Sequence, residues 1–293
     1  ASLSAINERL VYVSISGFGQ TGPWRAYPGL DLIAQAYSGA MSVMGHPGAP
    51  PVKSSIPFAD LGAGLFAVYA ILSAVIGRQA SGRGQYVDVS LFETALALSV
   101  WESAEYWGTG ETPVPIGSAN RMSAPYQAFR ASDRYFVLGA ANQKLWTTLC
   151  EAIGRTDLLA RPDYADNVAR IRNKVALASE LEAVFAHGTA DHWVALLLEK
   201  GVPAAPILDY AEALSSEQAQ AREMVLEVTH PVEGTTRTLG FPAKMSGTPQ
   251  AIRRPAPLLG EHTAQVLGEL GVDAQRIQAW RELGAFGTAP QQA

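Results

Sequence analysis

A long apolar segment between two short strand-like segments most constrains what this chain can fold into. Residues 60–79 are mostly apolar or small, which predicts a long apolar helix. Residues 11–16 before this segment and residues 86–90 after it are rich in β-branched and aromatic side chains, and both predict strands. Strand, helix and strand in this order favour a crossover unit with parallel strands. The first third of the chain is therefore predicted to be α/β.

Beyond this unit, stretches rich in glycine, proline and small polar residues mark two linkers, at residues 108–124 and 215–239. The segment between them, residues 125–214, combines a predicted hairpin with three helices, and we interpret it as a small domain. The predicted elements after residue 107 are strands at 126–129, 135–138, 225–229 and 236–239, and helical segments at 143–153, 173–186, 191–200 and 262–283. The length of 293 residues fits two domains.

Composition excludes several classes of protein. The net charge is −5, and basic residues do not cluster beyond pairs such as Arg253 and Arg254, so nucleic acid is not expected as a partner. One cysteine, Cys150, excludes an internal disulfide and a cysteine zinc site; we interpret it as a core residue of a cytoplasmic protein. The histidines lack metal-ligand spacing, and no run reaches the roughly 18 uninterrupted apolar residues of a membrane span. We therefore expect no metal and no membrane contact.

A glycine-rich motif, GFGQTG at residues 17–22, follows the first predicted strand. It matches the dinucleotide-binding pattern, but that pattern needs a helix that begins inside the motif. Pro23 and Pro28 interrupt helix formation there. We therefore interpret the motif as a glycine loop at the carboxyl end of a strand, where open α/β sheets bind ligands.

Asp60, at the start of the long apolar helix, has two interpretations. Aspartate is a good N-cap, and taken alone this structural role is favoured. Gly62 and Gly64, however, each cost about 1 kcal/mol relative to alanine inside a helix, and such glycines are tolerated where a backbone or a ligand approaches closely. A carboxylate at a helix N-terminus stays ionised and can act as a nucleophile.

Several motifs in one order make the chain resemble the class III (family III) CoA-transferases. That family includes formyl-CoA and carnitine-CoA transferases and α-methylacyl-CoA racemases. The matching stretches are SISGFGQTGP at 14–23, PGLDLIAQA at 28–36, ADLGAG at 59–64, GRGQ at 82–85, VDVSL at 87–91, SGTP at 246–249 and PLLGEHT at 257–263.

The resemblance implies an enzyme that transfers sulfur-containing groups, an acyl-CoA:carboxylate CoA-transferase. Asp60 would be the nucleophile, and it would form an acyl-aspartyl anhydride and then an aspartyl-CoA thioester. The substrates would be an acyl-CoA and a carboxylic acid, with no permanently bound cofactor and no metal. The residues that would bind CoA or substrate are Gln20, Pro28, Gly29, Leu30, Asp31 and Arg121.

Within this family, Leu30 favours transfer over racemisation. The racemases carry histidine at this place, because exchange of an α-proton needs two acid/base groups, and leucine cannot move a proton. Asp31 would position the thioester or would cap its own helix. Arg121 lies where the family has a glycine-rich loop, and it would recognise a second carboxylate of the acyl group or serve as an ordinary linker residue. A racemase and an inactive CoA-binding subunit remain the alternatives.

The resemblance also implies the architecture: an α/β fold with a Rossmann-like large domain and a smaller α+β domain. Residues 1–107 and 240–293 would form the large domain, and ring-shaped monomers would interlock as a homodimer. Family members carry a further N-terminal stretch before the first strand, so we expect this chain to be truncated or half of a split enzyme.

Overall fold

The computed structural model describes residues 2–287 and falls into two compact units, which meet in the sequence between residues 207 and 208. Residue 1 and residues 288–293 of the predicted large domain lie outside the described residues. The division into a large and a small domain with linkers remains a prediction.

The first unit combines helices with short strands. Its strands are β1 (Tyr12–Ser16), β2 (Tyr86–Ser90), β3 (Tyr126–Arg130), β4 (Tyr135–Gly139) and β5 (Ala204–Pro206). Its helices are α1 (Ser2–Ile6), α2 (Asp31–Tyr37), α3 (Ala40–Val43), α4 (Phe58–Ser81), α5 (Leu91–Leu98), α6 (Val100–Thr109), α7 (Gln143–Ala152), α8 (Asn167–Arg172), α9 (Lys174–Phe185) and α10 (Ala190–Glu199), with 3-10 turns at Thr156–Ala160 and Pro162–Tyr164.

The second unit contains the antiparallel hairpin β6 (Val225–His230) and β7 (Gly234–Leu239). Its helices are α11 (Tyr210–Ser215), α12 (Glu217–Ala221), α13 (Thr263–Glu269) and α14 (Ala274–Glu282). The hairpin confirms the two strands expected here from the sequence.

The predicted crossover unit is confirmed. Strands β1 and β2 pair in parallel, with Tyr12 opposite Tyr86 and Ser16 opposite Ser90, and α4 lies between them in the chain. Gly82 ends α4 in the left-handed conformation (φ 73°), and its N–H bonds back to the Arg78 carbonyl. Both strands therefore end at the same edge of the sheet, which is where the candidate site lies.

Small residues pack the helices together beside this edge. Ala34 of α2, Ala59 of α4 and Ala95 of α5 form one buried cluster, with Phe58 and Leu91 packed against it. Alanine side chains let helix backbones approach closely, so the first turn of α4 is held against α2 and α5.

The larger core lies between residues 129 and 204. The sheet β3–β4–β5 packs against α7, α9 and α10, with Phe129, Phe136, Trp146, Leu181 and Phe185 fully buried. The predicted hairpin is confirmed as an antiparallel pair, and the predicted helices of this region are present. Thr189 caps α10, because its side chain accepts the His192 N–H.

The apolar spacing predicts one helix over each of residues 31–44, 92–107 and 262–283, and the structure breaks all three. Residues 31–44 form α2 and α3, which are separated at Gly39 in the left-handed conformation (φ 84°). Residues 92–107 lie in α5 and α6, which meet at Ser99. Residues 262–283 form α13 and α14, with Gly271 in the left-handed conformation (φ 84°) between them. The helical pattern continues across each local backbone break, so the periodicity alone did not reveal the end of the helix.

Among the described residues, α4 is the one helix that is long and apolar enough to cross a membrane by length and composition, although glycine and serine interrupt its apolar run. Only 22% of its most apolar window is buried. A single helix of this kind is weak evidence for a membrane span, because core helices of soluble proteins have the same length and composition.

Candidate active site

Asp60 lies in the first turn of α4, and its side chain is exposed. The helix begins at Phe58 with Pro57 at the N-cap position, so the interpretation of Asp60 as the N-cap is wrong. None of the residues at 2–287 hydrogen-bonds the Asp60 carboxylate. The side chain is therefore free for a ligand, at the positive end of the helix dipole.

Asp31 supplies the missing cap of α4 from another helix. Its Oδ1 accepts the backbone N–H groups of Ala59 at 3.0 Å and of Asp60 at 3.4 Å. Asp31 is the first residue of α2, whose own N-cap position is Leu30, and so the expectation that it caps its own helix is also wrong. Asp31 and the main chain of Asp60 are thus brought together, as a site containing both requires.

Gln35, one turn further along α2, is a site residue that the sequence reasoning missed. It is fully buried, its Nε2 donates to Asp31 Oδ2 at 2.6 Å, and its Oε1 accepts the Ser54 N–H at 2.9 Å. Its spacing from Asp31 could have revealed it, because residues four positions apart on a helix are neighbours.

Two glycines bring the glycine loop and α2 together. A Cβ atom built on Gly17 would lie 2.7 Å from the Cα of Gly29, so only glycine allows this backbone contact. Gly17 also accepts the Phe92 N–H, which ties the end of β1 to α5. The loop that contains Pro28 and Gly29 is therefore closed at its base, and Leu30 and Asp31 follow directly.

Aromatic side chains hold the rest of this loop. Phe18, which is 8% exposed, contacts four rings with centroids 5.2–6.1 Å away. These rings belong to Trp24, Tyr27, Tyr37 and Phe92. No helix begins within residues 17–22, and α2 begins only at Asp31, so the rejection of a dinucleotide fingerprint is supported by the local structure.

Gln20 folds back beside the middle of the β1–β2 pair, where Ser14 lies opposite Asp88. Its backbone N–H donates to Asp88 Oδ2, and its side-chain Nε2 donates to Ser14 Oγ, both at 2.9 Å. Pro28 and Leu30 are exposed, with Leu30 at 72%. An exposed leucine beside Asp31 offers an apolar surface and no titratable group.

Arg121 is engaged by helix α6 and by its own loop. Its Nη1 lies 2.9 Å from Glu105 Oε2, its Nε lies 3.5 Å from Glu102 Oε1, and its Nη2 donates to the Val114 carbonyl. The side chain is 10% exposed. No hydrogen bond joins it to Asp31 or Asp60 among the described residues.

Gly62 packs against α5. A Cβ atom there would lie 2.7 Å from Thr94 Cγ2, whereas a Cβ atom on Gly64 would meet open space. The close approach expected from the sequence is therefore made at Gly62 by a neighbouring helix.

Cys150 has the core position expected from the sequence. It is fully buried, and this burial raises the pKa of its thiol to about 12, which leaves it without nucleophilic thiolate at neutral pH. In the described part of the chain, no three His, Cys, Asp or Glu side chains lie close enough together to hold a metal ion.

Comparisons with known proteins agree on one family. The family described as "CoA-transferase family III" matches residues 1–263. An "Acyl-CoA transferase" of Fusarium pseudograminearum is 37% identical over 96% of this chain and 62% of its own length. An "Acetyl-CoA:oxalate CoA-transferase" of Acetobacter aceti is 38% identical over 91% of this chain and 68% of its own length. The chain thus spans about two thirds of these relatives, and less than two thirds of the first.

A crystal structure of a CaiB/BaiF family protein from Brucella suis has the same mixed α/β fold. It superposes with a TM-score of 0.77 and is 34% identical, and the match covers 92% of this chain and 70% of that protein.

Proposed function

Because this chain belongs to CoA-transferase family III, we propose that it transfers coenzyme A from an acyl-CoA thioester to a carboxylic acid, with Asp60 as the covalent nucleophile. The observation that carries this proposal is that the Asp60 carboxylate is exposed in the first turn of α4 and accepts no hydrogen bond from any described residue. The N–H groups beside it are occupied by Asp31 instead.

The first half of the reaction splits the donor thioester. An Asp60 oxygen attacks the thioester carbonyl carbon, the carbon–sulfur bond breaks, and an acyl-aspartyl anhydride and CoA thiolate form. The thiolate is an acceptable leaving group, because an ordinary thiol has a pKa of about 8.5. It then attacks the Asp60 carbonyl carbon, which releases the donor acid and leaves an aspartyl-CoA thioester.

The second half repeats these steps in reverse with the acceptor. The acceptor carboxylate attacks the aspartyl-CoA carbonyl carbon and expels CoA thiolate, which then attacks the acceptor's carbonyl carbon in the new anhydride. A new acyl-CoA leaves, and the Asp60 carboxylate is regenerated. One thioester replaces another, so the reaction consumes no net proton and needs no energy-rich co-substrate.

The other assigned residues surround this chemistry. Pro28, Gly29 and Leu30 would line the acyl-CoA site, and Gln20 would contact CoA beside the β1–β2 pair. Arg121 would recognise a second carboxylate only by leaving Glu102 and Glu105, since both now pair with it. Relatives named for glutarate and mesaconate transfer are consistent with a dicarboxylic acyl group.

We further propose that the enzyme is a cytoplasmic homodimer with a Rossmann-like large domain. The exposed apolar face of α4 supports association, and the lone buried Cys150 supports a reducing compartment.

The test uses Asp60→Asn, which keeps the shape and removes the anionic oxygen. Wild-type protein incubated with succinyl-CoA alone should gain mass on the peptide that contains Asp60, and hydroxylamine should convert that adduct to a hydroxamate. The variant should show no adduct, and its exchange of CoA with labelled succinate should fall by at least about a thousandfold, as for loss of a nucleophile.

Glu93→Gln is the matched control, because it neutralises another carboxylate near the ends of the strands. It should retain the adduct on Asp60. Near-normal transfer by Asp60→Asn would overturn the proposal.

A further inference from the structure

We propose that Gln35 is a positioning residue that holds Asp31, and through Asp31 the main chain of Asp60, in the geometry needed for attack. The inference rests on the proposed function for its catalytic meaning. Its structural basis is a chain of hydrogen bonds from the segment before α4, through Gln35 and Asp31, to the first turn of α4.

The amide of Gln35 matches both of its neighbours in one orientation only. Its Nε2 faces an acceptor, Asp31 Oδ2 at 2.6 Å, and its Oε1 faces a donor, the Ser54 N–H at 2.9 Å. Rotating the amide by half a turn would set oxygen against oxygen and N–H against N–H. Glutamine is therefore the side chain of this length that can donate to Asp31 and accept from Ser54 at once.

Burial makes this requirement strict. Gln35 is fully buried, so water cannot replace a lost hydrogen bond on either side. Donation by Gln35 leaves the other Asp31 oxygen, Oδ1, directed at the N–H groups of Ala59 and Asp60. The rotation of the Asp31 carboxylate is thus fixed at both oxygens.

Apolar packing holds this turn against α2 and α5, but apolar contacts are not directional. The cluster at the crossing of these helices consists of buried Ala34, Ala59 and Ala95, with Phe58 and Leu91 packed against them. Pro57, at the N-cap position of α4, supplies no capping hydrogen bond. The hydrogen bonds through Gln35 and Asp31 therefore set the position of the first turn of α4. They thereby set the position from which the Asp60 carboxylate attacks the thioester.

The first test measures how firmly the first turn of α4 is held, and it needs no activity assay. In Gln35→Met, which keeps length but loses both hydrogen bonds, backbone amides of residues 58–64 should exchange with deuterium at least about tenfold faster than in wild type. Gln143→Met is the matched control, because Gln143 bonds the buried Arg170 in the other core. Its exchange at 58–64 should stay unchanged, and equal protection in both variants would overturn the proposal.

The second test measures acylation of Asp60 by succinyl-CoA. Gln35→Met should slow acylation by about ten- to a hundredfold, as expected for a displaced nucleophile, while the succinyl-CoA concentration for half-maximal rate changes little. Gln143→Met should react at the wild-type rate. A wild-type rate in Gln35→Met would overturn the positioning role.

Gln35→Glu gives a signature that a purely structural role would not produce. At about pH 8 its carboxylate would repel Asp31, but a buried carboxylate beside a second carboxylate binds a proton more readily than an isolated one. Protonated Glu can donate to Asp31 as the amide does. The acylation rate relative to wild type should therefore rise between about pH 8 and pH 5, whereas the ratio for Gln35→Met stays flat; a flat ratio for Gln35→Glu would contradict the proposal.

The two proposals fail separately. If wild-type protein forms no adduct on Asp60, the proposed function falls, and deuterium exchange alone decides whether Gln35 positions the turn. If wild type is acylated and Gln35→Met is acylated equally fast, the proposed function stands and the role of Gln35 is wrong.

Discussion

Asp31 and Asp60 carry the same functional group but differ in what surrounds it. The Asp31 carboxylate accepts three hydrogen bonds, one from Gln35 and two from the first turn of α4. That makes it a poor nucleophile, because its lone pairs are occupied. Asp60 has an exposed carboxylate with no such partner among the described residues. At the scale of single residues, hydrogen bonding thus separates a positioning carboxylate from a reactive one.

Leu30 leads to a prediction about reaction type. Its side chain cannot accept a proton, so the enzyme should not exchange the α-proton of a substrate efficiently. In D₂O, a 2-methylacyl-CoA incubated with the protein should acquire deuterium no faster than in a control with Asp60→Asn. Rapid incorporation that depends on Asp60 would favour the racemase alternative.

Glu180 leads to a prediction about acid stability. Burial acts to raise the pKa of this carboxyl, but hydrogen bonds from Tyr164, Arg161 and Arg155 outweigh burial and hold the pKa below its ordinary value of 4.5. The stabilisation is therefore complete above about pH 4.5 and is lost as the pH falls through the lowered pKa.

Glu180→Gln should reduce the free energy of unfolding near pH 7 by about 2 kcal/mol, since hydrogen bonds to a charged group are lost. In urea titrations the gap to wild type should begin to close as the pH falls below about 4.5 and should go on closing as the pH falls through the lowered pKa. The control Glu199→Gln removes an exposed pair with Lys200 and should change stability by less than about 1 kcal/mol. A gap for Glu180→Gln that stays constant down to the acid limit would contradict the assignment.

At the scale of elements, α4 is held by what it packs against more than by its own composition. Its N-terminus is capped by a different helix, and its first turns contact α5 through Gly62. The rest of the helix is poorly covered in the described structure, with Leu65 at 71% and Ile76 at 67% exposed.

Gly62 and Gly64 of α4 should respond differently to the same substitution. Gly64→Ala should raise the free energy of unfolding by about 1 kcal/mol, because its Cβ would meet open space and alanine favours helix. Gly62→Ala should be less stable than Gly64→Ala by about 1–3 kcal/mol, because its Cβ would overlap buried Thr94. Urea denaturation of both variants measures the difference, and equal midpoints would show that α5 moves aside at no cost.

At the scale of the whole molecule, a lone chain leaves the apolar face of α4 exposed. Contiguous apolar patches of this kind on soluble proteins usually mark interaction surfaces. The exposed apolar residues on this helix are Leu61, Leu65, Val68, Tyr69, Leu72 and Ile76.

We therefore expect self-association through α4. In sedimentation velocity the wild-type chain should behave as a dimer at micromolar concentration, and the double substitution Leu65→Glu and Ile76→Glu should shift it to a monomer. Val175→Glu on α9 is the control, since Val175 is also exposed, at 76%. A monomeric wild-type chain would contradict the proposed homodimer.

The amino-acid sequence by itself determined the strands, most of the helices and the family, and it singled out Asp60, whose proposed role as nucleophile is implied by the family resemblance. The strands of the crossover unit and the two hairpins follow from apolar spacing and turn residues, which act between neighbours in the chain. Asp60 stood out for the same reason, as a charge at the start of an apolar helix.

Only the tertiary structure decided which groups meet. Asp31 caps a helix that begins 27 residues later, at Phe58, Gln35 joins it from within α2, and Arg121 pairs with glutamates of α6. Such contacts depend on how separate elements pack, which no local pattern encodes. Local sequence preference also explains why Asp60 could be interpreted as an N-cap, because aspartate often caps a helix. In the structure the carboxylate of Asp31, from a neighbouring helix, accepts the N–H groups of this helix start instead.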